Sequence, residues 1–150
     1  MRVVIQRVKH ASVTVDEKII GKIGNGLLVL AGFEESDTHE DFDWMADKII
    51  QIRVFPDENG VMNISVEDIK GEILVVSQFT LHASVKKGNR PSYIKASKPG
   101  LAKNQYEEFV KVLQNKYLSP VQTGEFGVDM KVEMLNDGPV TICIDSKNKE

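Results

Sequence analysis

The 150-residue sequence has little of what builds disulfide frameworks, membrane spans or disordered tracts. It has one cysteine, Cys143, which excludes an intrachain disulfide and any cage of several thiolates around a metal ion. The longest apolar run, residues 26–33, spans eight residues. A membrane-spanning helix needs roughly 20. With 11 glycines and five prolines, the sequence also lacks the composition of a low-complexity chain.

The balance of charged and apolar residues fits one folded domain. Lys and Arg total 19 against 22 Asp and Glu, a formal net charge of −3, and 41% of the residues are hydrophobic. A chain of this length buries roughly two thirds of its unfolded surface, which is enough for one packed core. No long apolar signal segment lies near the start. These features predict a single-domain cytoplasmic protein over residues 1–150, with no membrane contact.

Apolar patterning predicts more strand than helix. Alternating apolar and polar residues predict half-buried strands, and continuous apolar runs predict strands covered on both faces. The predicted strands span residues 3–8, 11–15, 19–23, 27–30, 73–76, 131–135 and 140–144. A tight turn is expected at residues 136–139, and periodicity does not choose between the cis and trans isomers of its Gly138–Pro139 bond. Cys143 is predicted to be a buried strand residue.

Two segments have the spacing of amphipathic helices. The first is predicted to begin at Asp37 or Thr38, with Asp37 as the capping residue and Glu40 as its partner in a capping box. Its apolar stripe is Phe42, Met45, Ala46 and Ile49. The second follows Pro99, with the stripe Ala102, Tyr106, Phe109, Val110, Leu113 and Tyr117. Strands and helices together predict an α+β fold.

Familiar catalytic motifs are absent from the sequence. It has no glycine-rich phosphate loop, no G-x-S-x-G and no H-E-x-x-H. His10, His39 and His82 are scattered, so each is predicted to be a surface or turn residue rather than a metal ligand. A nucleophilic role for Cys143 lacks a positioned base.

Basic residues cluster in one stretch of this acidic chain. Residues 73–105 contain no Asp or Glu. The basic residues there are Lys86, Lys87, Arg90, Lys95, Lys98 and Lys103. Such a stretch can present one positive face to a phosphate backbone while the rest of the protein repels it, and Lys86, Lys87 and Arg90 are the candidate RNA contacts. The alternative is an ordinary solvated loop and helix end.

A polar segment follows the predicted interior strand at residues 73–76. Ser77, Gln78, Phe79 and Thr80 place two hydroxyls, an amide and an aromatic ring at the strand end. These groups can bind a polar substrate, because they combine donors, acceptors and an apolar wall. The alternative is a purely structural strand end.

Five segments, in the same order along the chain, resemble the D-aminoacyl-tRNA deacylase family. They are MRVVIQRV at residues 1–8, SQFTL at 77–81, KGNRPS at 87–92, TGEFGVDM at 123–130 and NDGPVT at 136–141. The similarity runs from Met1 to about Asp145. It implies an enzyme that hydrolyses the ester joining a D-amino acid, or glycine mischarged on tRNA-Ala, to the tRNA 3′ end. It also implies a cytoplasmic homodimer with a barrel-like mixed β-sheet, two main helices and no metal or organic cofactor.

The resemblance assigns roles to the strand-end segment. Ser77, Gln78, Phe79 and Thr80 are implied to line the pocket for the aminoacyl-adenosine end. In one mechanism the ribose 2′-hydroxyl assists the attack of water, while the backbone N–H of Phe79 or Thr80 stabilises the developing charge. In the other, the Thr80 hydroxyl is a covalent nucleophile. We favour the first mechanism because the sequence offers no base for Thr80.

The resemblance also implies how handedness is sensed. Gly138 and Pro139 correspond to a Gly–cis-Pro pair that reaches into the partner subunit's pocket, and Arg7 to an arginine that holds this pair. A backbone carbonyl at Gly138 can accept the substrate ammonium hydrogen bond and leave no room for an L side chain. Phe126 and Met130 correspond to the segment beside the adenosine pocket.

Two other functions are compatible with the sequence. One is an editing module of the same architecture that clears L-amino acids for a synthetase. The other is a noncatalytic nucleic-acid-binding protein that uses the basic face. Deacylation of D-Tyr-tRNA with L-Tyr-tRNA spared separates all three.

Overall fold

Strands outnumber helices in the computed structural model, which describes residues 1–150. The elements are β1 (Arg2–Val15), β2 (Lys18–Ile23), β3 (Gly26–Gly32), α1 (His39–Gln51), β4 (Phe55–Pro56), β5 (Met62–Ile64), β6 (Glu72–Ser77), a 3-10 helix (Phe79–His82), α2 (Pro99–Lys116), β7 (Val121–Thr123) and β8 (Lys131–Asp145). Neither α1 nor α2 is both long and apolar enough to cross a membrane.

Six of the strands form one mixed sheet, and its centre is the long strand β1. The first half of β1 pairs with β3 and its second half with β2, while β8 runs antiparallel along its other edge. β3, β6 and β7 are parallel neighbours, joined by crossovers that contain α1 and α2. At the far side β2 approaches β7 so closely that a Cβ on Gly21 would lie 2.6 Å from the Thr123 carbonyl oxygen. The sheet is therefore nearly closed, which confirms the predicted barrel-like α+β fold with two main helices.

The main core lies between the sheet and the two helices. A cluster of 22 buried residues fills this layer. At its centre the rings of Phe33, Phe42 and Phe109 meet edge to face at centroid distances of 5.8–6.3 Å. A smaller cluster of seven buried residues, including Leu28 and Leu74, occupies the other face of the sheet. The two helices thus cover one face of the sheet.

Two pairs of predicted strands are in fact single strands. Residues 3–8 and 11–15 both belong to β1, and residues 131–135 and 140–144 both belong to β8. The predicted tight turn at 136–139 is wrong, because this stretch is an irregularity within β8 and not a reversal of the chain. β1 offers a continuous edge of 14 residues, so β8 resumes pairing after the shift in register near Val8.

The first helix begins within two residues of its predicted start, but its N-cap residue is not the predicted one. Thr38 is the N-cap, and the carboxylate of Asp41 accepts the Thr38 backbone N–H at 2.9 Å in a capping box. The predicted pair of Asp37 and Glu40 is therefore wrong. Asp37 is buried and accepts the α-ammonium group of Met1, which also donates to Ser146 Oγ at 2.8 Å.

Two residues differ in burial from their sequence predictions. Cys143 is exposed rather than buried, because β8 is paired only with β1 and the sheet face on which Cys143 lies has no helix over it. His82 is 1% exposed rather than on the surface. It ends the 3-10 helix against Gly32, where a Cβ would come within 3.2 Å of the imidazole Cδ2.

Candidate active site

The candidate site begins where β6 ends. Ser77 is the last residue of this strand, and the Gln78 N–H donates to the Ala31 carbonyl of neighbouring β3 at 2.7 Å. The chain then turns into the 3-10 helix, in which the Leu81 N–H donates to the Gln78 carbonyl at 3.2 Å. Sites commonly lie at the carboxyl ends of parallel strands, because loops converge there. This places the polar strand-end segment at the open end of the sheet, as the sequence predicted.

A cavity of about 590 Å³ opens beside this strand end. Ser77 and Phe79 form one wall, and Phe126 with Gly127 forms another. The remaining wall comes from the segment that leads into α2, with Tyr93, Ile94, Ala96, Ser97, Lys98, Pro99 and Ala102. The cavity is of the size that holds a small organic molecule. Its lining contains no Asp, Glu or His, so it offers no general base of its own.

Gln78 and Thr80 do not line this cavity. The Gln78 side-chain amide donates to the Thr80 hydroxyl, so these two side chains are hydrogen-bonded to each other. The Thr80 carbonyl accepts the Ala83 N–H at 3.0 Å. Because the helix begins at Phe79, the backbone N–H groups of Phe79 and Thr80 have no acceptor within it. Of these two residues only Phe79 lines the cavity, and no base lines it.

Phe126 is held at the cavity by α2. Its ring lies 5.9 Å from that of Tyr106, centroid to centroid. The Tyr106 hydroxyl donates to the Val75 carbonyl at 2.9 Å, and burial raises the pKa of this phenol, so it stays a neutral donor. Phe126 also borders a second cavity of about 410 Å³ on the other side of Tyr106.

Met130 lies behind the site rather than in it. It is half-buried and packs on Gly124, where a Cβ would come within 2.6 Å of the Met130 sulfur. Gly124 in turn donates its N–H to the Val75 carbonyl at 3.0 Å. Met130 therefore supports the segment that carries Phe126.

Gly138 and Pro139 lie on β8, are exposed and do not line the cavity of their own chain. Their peptide bond is cis, and Gly138 has a φ of +140°, a conformation that favours glycine. Arg7 holds the preceding residue, because its Nε donates to the Asp137 carbonyl at 2.9 Å. A Cβ at Gly138 would lie 3.0 Å from the Arg7 guanidinium and 2.7 Å from Val140 Cγ2.

The predicted RNA contacts lie on the loop between the 3-10 helix and α2. Lys86, Lys87 and Arg90 are all exposed, and none of them forms a salt bridge. Backbone hydrogen bonds of 2.8 and 2.9 Å between Ser84 and Ser92 close the neck of this loop. Its cations are therefore free to meet a polyanion beside the cavity.

Sequence reasoning missed the wall formed by residues 93–98. Tyr93 contacts Phe79 edge to face, with ring centroids 5.0 Å apart. The available signal was a Tyr-Ile pair inside a stretch that is otherwise basic and polar. No group of three or more His, Cys, Asp or Glu side chains is placed to hold a metal ion.

Comparison with known proteins places this geometry in a family. The family model described as D-Tyr-tRNA(Tyr) deacylase matches residues 4–145. Proteins named D-aminoacyl-tRNA deacylase from Flavobacterium psychrophilum and Parabacteroides distasonis are each 63% identical over 150 residues, covering all of both chains.

Two solved structures share the fold of this chain. One called c-Myc DNA unwinding element binding protein is 43% identical with a TM-score of 0.92, covering 97% of this chain and 98% of that one. A structure of a probable eukaryotic D-amino acid tRNA deacylase is 17% identical with a TM-score of 0.79, covers 95% of this chain and 97% of that one, and shares the fold. The chain belongs to the D-Tyr-tRNA(Tyr) deacylase family.

Proposed function

We propose that this chain hydrolyses the ester bond between a D-amino acid and the 3′ end of tRNA, in the cytoplasm, and spares L-aminoacyl-tRNA. The observation that carries this proposal is the cavity at the end of β6, lined by Ser77, Phe79 and Phe126 in a chain that matches the deacylase family over residues 4–145. The activity comes from the names of relatives that are 63% identical over their full length. Glycine on tRNA-Ala is a second substrate, because it has no side chain to exclude.

The cavity suits a reaction in which the substrate supplies part of the chemistry. An aminoacyl ester is already activated, and no carboxylate or imidazole in the lining can deprotonate water. The protein's part is to position the ester and to donate hydrogen bonds to the developing oxyanion from the Phe79 and Thr80 N–H groups. The ribose 2′-hydroxyl beside the ester then assists the attack of water.

Thr80 is a positioning residue in this mechanism. Its hydroxyl accepts a hydrogen bond from the Gln78 amide, a contact that does nothing to remove the hydroxyl proton. A covalent nucleophile needs a base to take that proton. Thr80→Val should therefore keep turnover within about tenfold of wild type, whereas a nucleophile would lose at least about a thousandfold. A 2′-deoxy terminal ribose should slow hydrolysis strongly, and unchanged hydrolysis would contradict substrate assistance.

Handedness is sensed, in this proposal, by main chain rather than by a reactive side group. Gly138 presents a side-chain-free acceptor, and Arg7 fixes its position through the Asp137 carbonyl. Arg7 also donates to the Val54 carbonyl at 2.5 Å, so it is held from two sides. An L side chain pointing at this backbone would clash, while a D side chain points elsewhere.

In this proposal a second copy of the chain completes the site, because Gly138 and Pro139 do not line the cavity of their own chain. The strand β8 supports this arrangement. Val132, Met134 and Leu135 on it are 38%, 37% and 51% exposed, which is unusual for large apolar side chains on a long strand. A second copy that covers β8 would bury them and bring Gly138–Pro139 to the partner's cavity.

Hydrolysis of matched D- and L-Tyr-tRNA by the purified protein tests the proposal. We expect release of D-tyrosine at a rate far above that of L-tyrosine. Turnover of the L-ester would favour the editing-module alternative. Binding of tRNA without turnover of either ester would favour the nucleic-acid-binding alternative, which the basic loop and the name of the 43% identical structure also support.

A further inference from the structure

We propose that Tyr93 and Ile94, together with Lys95 and Lys98 that follow them in the chain, form a stacking platform for the unpaired nucleotides that precede the terminal adenosine of tRNA. We call these four residues the platform. This inference rests on the proposed function, and it names a binding site for a part of the substrate that the cavity does not hold.

The apolar residues of the platform are exposed to solvent. Ile94 is 89% exposed and Tyr93 is 37% exposed, yet both border the cavity. Neither is needed to fill the core, since the core cluster contains neither of them. Large apolar side chains that stand in water at the mouth of a cavity are typical of a surface that another molecule covers.

Hydrogen bonds and an aromatic contact hold the platform in position. The Ser97 N–H donates to the Phe33 carbonyl at 2.9 Å, and the Ala96 N–H donates to the Tyr93 carbonyl at 3.0 Å. On the other side the Tyr93 ring rests against Phe79. A surface held in place before binding loses little conformational entropy when a ligand stacks on it.

The two lysines of the platform carry unpaired positive charge. Lys95 and Lys98 are exposed and form no salt bridge, and the first turn of α2 beside them contains no acidic residue. No Asp or Glu occurs anywhere in residues 73–105. Exposed apolar side chains with unpaired cations beside them are what single-stranded nucleic acids bind, through base stacking and phosphate contacts.

The cavity is too small to hold more than the end of the substrate. A cavity of about 590 Å³ accommodates one aminoacyl nucleoside but not a further run of nucleotides. The RNA strand must therefore leave through the mouth. Ile94 and Lys98 line the cavity and are also exposed to solvent, so we place the nucleotide next to the terminal adenosine on the platform.

Three D-tyrosyl esters test the platform: the full tRNA, the trinucleotide of its 3′ end, and adenosine alone. We expect Ile94→Ser and Tyr93→Leu each to lower kcat/KM about tenfold for the tRNA and the trinucleotide. On the adenosine ester both variants should lose clearly less than on the trinucleotide, and this smaller loss reports the contact that Tyr93 and Ile94 make with the cavity itself. Leu118→Ser is the matched control, because Leu118 is 93% exposed and lies outside the cavity.

Two outcomes on the esters decide against the platform. An equal loss on all three esters would assign Tyr93 and Ile94 to the nucleoside cavity instead, and no loss on any would overturn the proposal. If wild type hydrolyses none of the esters, the proposed function fails. Binding of the uncharged trinucleotide then remains as the measure of the platform, which is contradicted if Ile94→Ser binds it as wild type does.

Discussion

Large apolar side chains are buried on the helix-covered face of the sheet and exposed at its open end. On the helix-covered side, Phe109 and Leu113 are fully buried in the 22-residue cluster. At the open end, Phe79 and Ile94 are 56% and 89% exposed. Burying one such side chain contributes about 1.5–3 kcal/mol to stability, which the exposed ones forgo. The helix side is complete within one chain, whereas the open end leaves large apolar side chains exposed.

Charges differ between the two regions in the same way. On the helix side, Lys116 contacts Asp43 at 2.8 Å and Asp47 at 2.7 Å, and these carboxylates raise its pKa. At the open end, Lys86 and Lys87 have no acidic partner in the chain. The paired lysine therefore links α2 to α1, whereas the loop lysines are left without an ion-pair partner.

The largest effect should come from the helix side. Phe109→Ala removes a fully buried ring that contacts Phe33 and Phe42, so the free energy of unfolding should fall by about 3–5 kcal/mol. Denaturant titration measures this change. Turnover per folded molecule should stay near wild type. A loss of turnover without a loss of stability would contradict the assignment of Phe109 to the core alone.

Phe79→Ala is the counterpart at the open end. Because the ring is 56% exposed and touches chiefly Tyr93, the free energy of unfolding should fall by no more than about 1.5 kcal/mol. The kcat/KM for D-Tyr-tRNA should fall at least about tenfold, since the ring walls the cavity. Stability and turnover measured on the same preparation check this, and normal turnover would remove Phe79 from the site.

Reversing two loop charges should alter salt dependence. With Lys86→Glu and Lys87→Glu together, the slope of log affinity for tRNA against log salt should flatten by about 1–2, because up to two phosphate contacts are lost. Lys18→Glu with Lys22→Glu is the control, since both lysines are exposed on β2 and the net charge changes equally. Equal slopes for the two double variants would place the RNA elsewhere.

The smallest effect concerns the start of α1. Burial alone would raise the pKa of Asp41, but hydrogen bonds from Lys147 and Thr38 lower this pKa far below the usual range of an aspartate. Because its folded-state pKa is depressed, the carboxylate stabilises the fold above about pH 4 and loses this effect as the pH falls further. Asp41→Asn should cost about 1 kcal/mol at pH 7. Unfolding at pH 7 and pH 3 should show the difference shrinking, and a constant difference would contradict this.

Local pattern predicted the helices well but not every contact. The stripe of α2 is buried because a period of 3.6 residues places it on one face. At α1, Asp37 and Thr38 can both cap, and an acidic residue follows each by three positions, so local sequence is degenerate. The choice is made by Met1, whose distant ammonium group takes Asp37 and leaves Thr38 to cap.

The site shows the same limit over a longer range. Ser77 and Phe79 share a strand end, which patterning located. Phe126 joins them because β7 pairs in parallel with β6 after the α2 crossover, and periodicity does not say which strands are neighbours. Gly138 was predicted in a tight turn because the pairing of β8 along all of β1 is equally non-local.

Mixing two inactive variants tests most directly the claim that the open end is completed by a second chain. One variant carries Phe79→Ala and Phe126→Ala in the cavity, and the other carries Gly138→Ala, whose Cβ would clash with Arg7 and Val140. After subunit exchange, half of the dimers should contain one intact site, so D-Tyr-tRNA hydrolysis should recover to about a quarter of wild type. A mixture that forms mixed dimers yet stays at the mean of its two inactive parents would contradict the account.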